Sequence, residues 1–239
     1  MLVTGATGAV GRALVERAQA DAWNVLGLYY RNEDQAEAMR RADASGSIDM
    51  RACDLGDAAQ IQGLLEGLPD TYCPDALIHL AAPKFDVAPI HRLPWDAYQG
   101  QLDGILKPLV MLARPLLKRM VRRGHGRIVS VLSAVVLGTP PRGFAGYTAA
   151  KYALAGYMKS LAAEYAGRGI TANMVSPGPM QTALLEELPA LLTDQMREAI
   201  PGGQWIDPRS VAQAVFWLAA EAGPEVTGCN IPLTSGMTF

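Results

Sequence analysis

The sequence predicts an α/β fold: one domain built on a doubly wound parallel sheet of about seven strands, with helices on both faces. Three observations lead there. Short aliphatic or β-branched runs alternate with longer amphipathic ones, as repeated βα units require. Several of the short runs are apolar at nearly every position, as strands covered on both sides must be. The first run passes at once into a glycine-rich turn and then a helical pattern, the local order of a nucleotide-binding βα unit.

Strands are expected at "MLVT", "NVLGLYY", "SIDMRAC", "ALIHLAA", "GRIVSVLS", "GITANMVS" and "CNIPLT". Helices are expected between them, at about 10–22, 33–44, 57–67, 95–122, 147–167 and 208–221. Asp54 or Asp57 caps the third helix. Pro108 and Pro115 should kink the fourth. The segment 178–206 mixes short helical patterns with prolines and a Gly-Gly pair, and reads either as a lid over a site or as a surface insertion. With 239 residues, 50% of them apolar, the chain sustains one core and not two ordinary domains. Residues 1–239 are therefore read as a single domain.

Bulk properties exclude several functions. A net charge of −2 offers no field for nucleic acid or an acidic membrane. Cys53, Cys73 and Cys229 are odd in number and form no CxxC pair, and the three histidines lack ligand spacing, so neither a disulfide framework nor a metal centre is expected. No apolar run approaches the roughly 20 residues that span a bilayer. The glycine turn begins at Gly5, which leaves no room for a leader. A cytoplasmic protein is the default reading.

The turn "TGATGAVG" assigns separate tasks to its glycines: Gly5 to the tight turn, Gly8 to backbone approach toward a pyrophosphate, Gly11 to close helix–strand packing. Phosphates then meet unpaired N–H groups at a helix N-terminus. After the second strand, "LGLYYRNED" presents Tyr30 and Arg31 where NAD sites carry a carboxylate. Arg31 suits the 2′-phosphate of NADP(H). The alternative is a solvated arginine, with Glu33 or Asp34 reaching back to the ribose of NAD(H). Asp54, just past the third strand, is placed for an adenine amino group.

Further along, "GYTAAKYAL" carries Tyr147 and Lys151, four apart and so on one helix face. Ser133 ends a strand fourteen residues before Tyr147. "NMVSPGPMQT" ends another strand at Pro177 and Gly178, with Thr182 beyond. Hydroxyl, phenol and ammonium at the carboxyl ends of neighbouring strands form a constellation where such sheets place their sites. A phenol near pKa 10 works as an acid–base group only with help, and a nearby lysine can supply it.

On the glycine loop, the Ser133, Tyr147 and Lys151 set, "NMVSPG" and "TGCNIPLTSG", the chain resembles the short-chain dehydrogenase/reductases over essentially its whole length. The resemblance implies a single Rossmann domain and hydride transfer between a nicotinamide and a carbonyl or alcohol. It makes Tyr147 the acid–base group, Ser133 its partner at the substrate oxygen, and Lys151 a holder of the nicotinamide ribose. It extends the cofactor site to Thr7, Val10, Leu55, Ala81 and Ala82, and to Pro177, Gly178 and Thr182. Where the family often carries an asparagine in the long helix, "GQLDG" offers Gln101.

Two branches of the family are audible. "TGATGAVG" and "ALIHLAA" look like the extended branch of nucleotide-sugar epimerases and dehydratases; "YTAAK" and "SPGPMQT" look like the single-domain reductases. Too few residues follow Lys151 for the extended branch's sugar-binding region, so the reductase reading is preferred. A catalytically silent NADP-binding regulator is the third reading. The reductases most resembled act on 3-oxoacyl thioesters of acyl carrier protein, with basic residues near the site mouth. Arg122, Arg123, Arg127 and Arg168 would form such a patch, or merely suit a helix end. The substrate is then a small carbonyl or acyl thioester, and the resemblance implies a homodimer or homotetramer formed through the helices at 95–122 and 147–167.

Overall fold

The computed structural model describes residues 1–182, 185 and 190–237. Seven strands form one parallel sheet: β1 (Leu2–Thr4), β2 (Val25–Tyr29), β3 (Ile48–Ala52), β4 (Ala76–His79), β5 (Gly126–Val131), β6 (Ile170–Pro177) and β7 (Asn230–Leu233). Their spatial order is β3-β2-β1-β4-β5-β6-β7. The chain winds outward from β1 in one direction and then, from β4, in the other. The crevice at the carboxyl ends of β1 and β4 is thus the topological switch point, where open α/β sheets bind ligands.

The described helices are α1 (Ala9–Ala20), α2 (Glu33–Ala42), α3 (Ala58–Glu66), α4 (Trp95–Arg123), α5 (Ala145–Tyr165), α6 (Ala190–Glu198) and α7 (Pro208–Phe216). α4 runs as one element through both prolines. Asp57, not Asp54, caps α3, accepting from the Ala59 N–H at 2.8 Å. Asp54 instead closes a turn by accepting from the Gly56 N–H at 2.9 Å. α7 is capped by Asp207, begins at Pro208, and passes into a π-turn at Trp217–Glu221.

Strand alternation explains the two-sided core. Leu2, Leu77, Ile128 and Met174 point to one face and pack against α4 and α5 through residues such as Leu109, Leu116 and Leu154. Their neighbours Val3, Ile78, Val129 and Val175 point to the other, against α1 and α7 through Leu14, Val15 and Val215. The three-residue β1 is buried throughout and pairs with both β2 and β4. β4 stops at His79, three residues before the expected end, because the Leu80 and Ala81 N–H groups donate to Thr4 Oγ1 at 3.1 and 3.3 Å. That turn puts Ala81 and Ala82 on the loop leading to α4. Among the described residues, no helix is long and apolar enough to cross a membrane.

Candidate active site

Two cavities open at the carboxyl edge of the sheet. The first, of about 910 Å³, lies over the glycine turn, with Gly5, Thr7 and Gly8 on one wall and Ala81 and Ala82 on another. Backbone geometry explains its glycines. Gly5 has φ of +68°, and a Cβ there would come within 3.0 Å of the Ala81 nitrogen. A Cβ on Gly11 would fall 2.4 Å from the Gly5 carbonyl oxygen. Gly8 caps α1 without a side chain, leaving first-turn N–H groups to whatever fills the cleft. These are the features a dinucleotide pyrophosphate requires, and the residues present fit one.

Tyr30, Arg31, Asp54 and Leu55 line the far end of the same cleft. Arg31 lies over the Tyr30 ring, 4.6 Å from its centroid, and donates to its hydroxyl at 3.1 Å. Glu33 is committed elsewhere: it accepts from the Tyr29 hydroxyl at 2.6 Å and pairs with Arg40 at 3.1 Å. Of the two carboxylates that could have served a plain ribose, Glu33 is therefore withdrawn. Two residues of the glycine turn that were expected at the cofactor do not line the cleft. Val10 turns its side chain into the core, and Gly11 is buried against the carbonyls of Gly5 and Ala6, so both shape the turn instead of facing it.

The second cavity, of about 420 Å³, is bounded by Ser133, Tyr147, Pro177, Gly178 and Thr182. The last three were expected around the cofactor; they sit beside Tyr147, at the end of β6, and not in the glycine-turn cleft. Ser133 follows β5 in an extended conformation, its Oγ accepts from the Val135 N–H at 3.4 Å, and its hydroxyl pulls the Tyr147 pKa downward. Ser130, three residues earlier, is buried within β5, and its hydroxyl has no hydrogen-bond partner among the described residues. Tyr147 stands in the first turn of α5, and burial pushes its pKa up to about 12 against the opposing pull of Ser133. Lys151, one turn on, is buried behind it. Its Nζ donates to the Val131 carbonyl at 2.9 Å and lies 5.6 Å from the Tyr147 ring centroid. Burial brings this lysine down to about 7. The arrangement can present a protonated phenol and a serine hydroxyl to one acceptor oxygen.

Gln101 lies in α4, and its Nε2 donates to the Lys84 carbonyl at 2.7 Å. Its buried Oε1 has no partner among the described residues. Gln101 thus fixes the loop between β4 and α4. At the tip of that loop is a residue sequence reasoning missed: Phe85 stacks on Tyr147 with centroids 4.5 Å apart and planes at 21°. Nothing in "APKFDVAP" announces it. Also missed was His79, whose Nε2–H donates to the Ile105 carbonyl at 2.8 Å while Nδ1 meets the Thr4 hydroxyl at 2.9 Å. Burial holds its pKa down at about 4.

The expected basic patch is not at the mouth of this site. Arg123 bonds the carbonyls of Cys73 and Pro74 and pairs with Asp75, just before β4. Arg127 bonds the Gly126 and Gly169 carbonyls. Together with Arg122 and Arg168 these residues occupy the amino-terminal edge of the sheet, opposite Ser133 and Tyr147. The reason is directional: they precede β5 and β6, and the site follows them. Of the expected lid, α6 places Met196 on the cavity wall; residues 183, 184 and 186–189 lie outside the described residues.

Comparison with known proteins agrees with this fold. A family model described as enoyl-(acyl carrier protein) reductase matches residues 5–238. The chain is 32% identical to the 3-oxoacyl-[acyl-carrier-protein] reductase FabG of Escherichia coli (strain K12), over 99% of this chain and 96% of that one. It is 29% identical to the FabG of Rickettsia conorii, over 99% and 95%. Among solved structures, a putative gluconate dehydrogenase from Agrobacterium tumefaciens superposes with a TM-score of 0.89 at 27% identity, covering 99% of this chain and 94% of that one. A variant of actinorhodin polyketide ketoreductase with NADPH gives 0.87 at 25% identity, covering 99% and 95%.

Proposed function

The chain belongs to the short-chain dehydrogenase/reductase family of oxidoreductases, and from that premise we propose that it reduces a ketone, a 3-oxoacyl thioester or a related small carbonyl, to a secondary alcohol with NADPH. The observation that supports the reading most is that Ser133 and Tyr147 line one cavity at the carboxyl edge of the sheet, with Lys151 buried one helical turn behind the phenol and held by the Val131 carbonyl. NADPH would be held by the first-turn N–H groups of α1 and by Arg31. Bound there, its reduced nicotinamide supplies the hydride.

This chain's residues do the rest. Ser133 hydrogen-bonds the carbonyl oxygen and fixes its orientation. Tyr147 hands its proton to that oxygen as negative charge develops. A phenol raised to about 12 keeps its proton at neutral pH, which suits the reductive direction. Lys151, held by the Val131 carbonyl, puts its ammonium beside the phenolate that remains. Segment 178–206 serves as the lid of the cavity within one catalytic domain of 1–239.

The test is NADPH oxidation across a panel of ketones and 3-oxoacyl thioesters, the latter on N-acetylcysteamine and on acyl carrier protein. Tyr147→Phe should lower kcat by about 10²–10⁴-fold with NADPH affinity retained. An unchanged rate in that variant removes Tyr147 from the mechanism. Recycling of a tightly held cofactor without net consumption would favour the epimerase reading instead.

A further inference from the structure

The second cavity has a wall that the reaction itself does not require. Phe85 lies flat on Tyr147 at 4.5 Å and edge-on to Phe144 at 4.8 Å. Three independent restraints hold it there. On its amino-terminal side, the Lys84 carbonyl is tied to Gln101, at 2.7 Å. One residue earlier, Pro83 crosses α4 at Gly104, where a Cβ would come within 2.5 Å of the proline ring. On its carboxyl-terminal side, the Ala88 N–H donates to the Gly143 carbonyl at 3.2 Å, and Gly143, with φ of +87°, accommodates the Val87 side chain. The ring is clamped on both sides in sequence and stacked on the phenol, so it is a fixed surface of the cavity.

The rest of the lining matches it. Val135, Phe144, Met180 and Met196 supply apolar walls, and no Asp, Glu, Lys, Arg or His lines the cavity among the described residues. The polar side chains are those of Ser133, Tyr147, Thr139 and Thr182. A ligand carboxylate in this space would lose water and gain no cationic partner, whereas an apolar group would gain contact on several sides.

We propose that the cavity selects uncharged, apolar ketones and that Phe85 is its specificity-determining wall. The proposal rests on the ketone-reductase reading of the same site. Phe85 meets the apolar body of the ketone while Ser133 and Tyr147 take its oxygen. Flat or aromatic bodies are favoured because the exposed part of the wall is itself a ring. The selection lies in binding and is independent of which cofactor is loaded.

The experiment uses a matched pair, 2-acetylnaphthalene and 6-acetyl-2-naphthoate, which differ by one carboxylate. Affinity for the NADP⁺-loaded protein is read by equilibrium dialysis, and turnover with NADPH is read separately. The neutral ketone should bind at least about tenfold more tightly than the carboxylate. Phe85→Ala should weaken the neutral ketone by about tenfold and leave NADP⁺ affinity unchanged, which also reports that the variant is folded. Phe85→Leu, which keeps an apolar wall without the ring, should fall between the two. Equal affinity for the pair, or an undiminished neutral ketone in Phe85→Ala, overturns the proposal. Selective binding with no NADPH oxidation would instead sink the reductase reading and leave the pocket's selectivity established.

Discussion

The two cavities at the carboxyl edge of the sheet are built of different materials. The cleft over the glycine turn is made by backbone: Gly5 against Ala81, Gly11 against the carbonyls of Gly5 and Ala6, and open N–H groups at the start of α1. The cavity beside Tyr147 is made by side chains, with two phenylalanines and three methionines among them. Backbone-built sites are intolerant, since any added atom meets a main chain that cannot move. Side-chain-built sites can change shape by rotamer, and thioethers do so most easily. The comparison teaches that cofactor binding and substrate choice are under separate physical constraints in this chain.

Four measurements break or sharpen it. The largest effect is expected beneath both cavities, at the buried His79 that ends β4. The unfolded chain protonates this residue below pH 6.5, and the folded chain resists until about 4, so stability should fall as pH drops through that window, by roughly 3 kcal/mol in all. Urea midpoints between pH 7 and 4 read this loss, and His79→Asn should remove the larger part of it. Next comes Gly11→Ala, whose methyl would sit 2.4 Å from the Gly5 oxygen. A cost of about 2 kcal/mol and loss of NADPH binding are expected by denaturation and titration. Arg31→Ala should then weaken NADPH on the order of tenfold while sparing NADH; equal losses would mean that the 2′-phosphate is read elsewhere. Smallest is Met196→Leu, which conserves volume and should cost less than about 1.5 kcal/mol while shifting ketone preference. If Met196→Leu destabilised as much as Gly11→Ala, the contrast between the cavities would collapse.

The same division decides how much could be read in advance. The glycine turn was legible because backbone geometry admits so few residue types at Gly5 and Gly11. Tyr147 and Lys151 were legible through helical spacing, and the strands through their two-sided apolar runs, which the alternation of Leu77 and Ile78 into opposite core faces bears out. Phe85 was not, since an aromatic residue in a loop has no period and its partner lies far along the chain. The arginine cluster was misplaced for a different reason. The resemblance to reductases with basic residues near the site mouth suggested that patch, yet β5 runs between the arginines before it and Ser133 after it, and a strand carries its two ends to opposite edges of the sheet. Reading strand direction from "GRIVSVLS" would have put the arginines at the far side. The capping ambiguity between Asp54 and Asp57 needed coordinates, because either carboxylate fits the pattern before α3.

Lys84 and Phe85 are adjacent in the chain, yet Lys84 lines the glycine-turn cleft and Phe85 the cavity beside Tyr147. One stretch of loop, pressed onto α4 at Gly104, is therefore a party wall between two rooms. A substitution on one side of it refurnishes one room and leaves the other as it was. A lineage carrying this loop can trade substrates at position 85 without renegotiating its cofactor, so divergence in specificity is open to it in single steps.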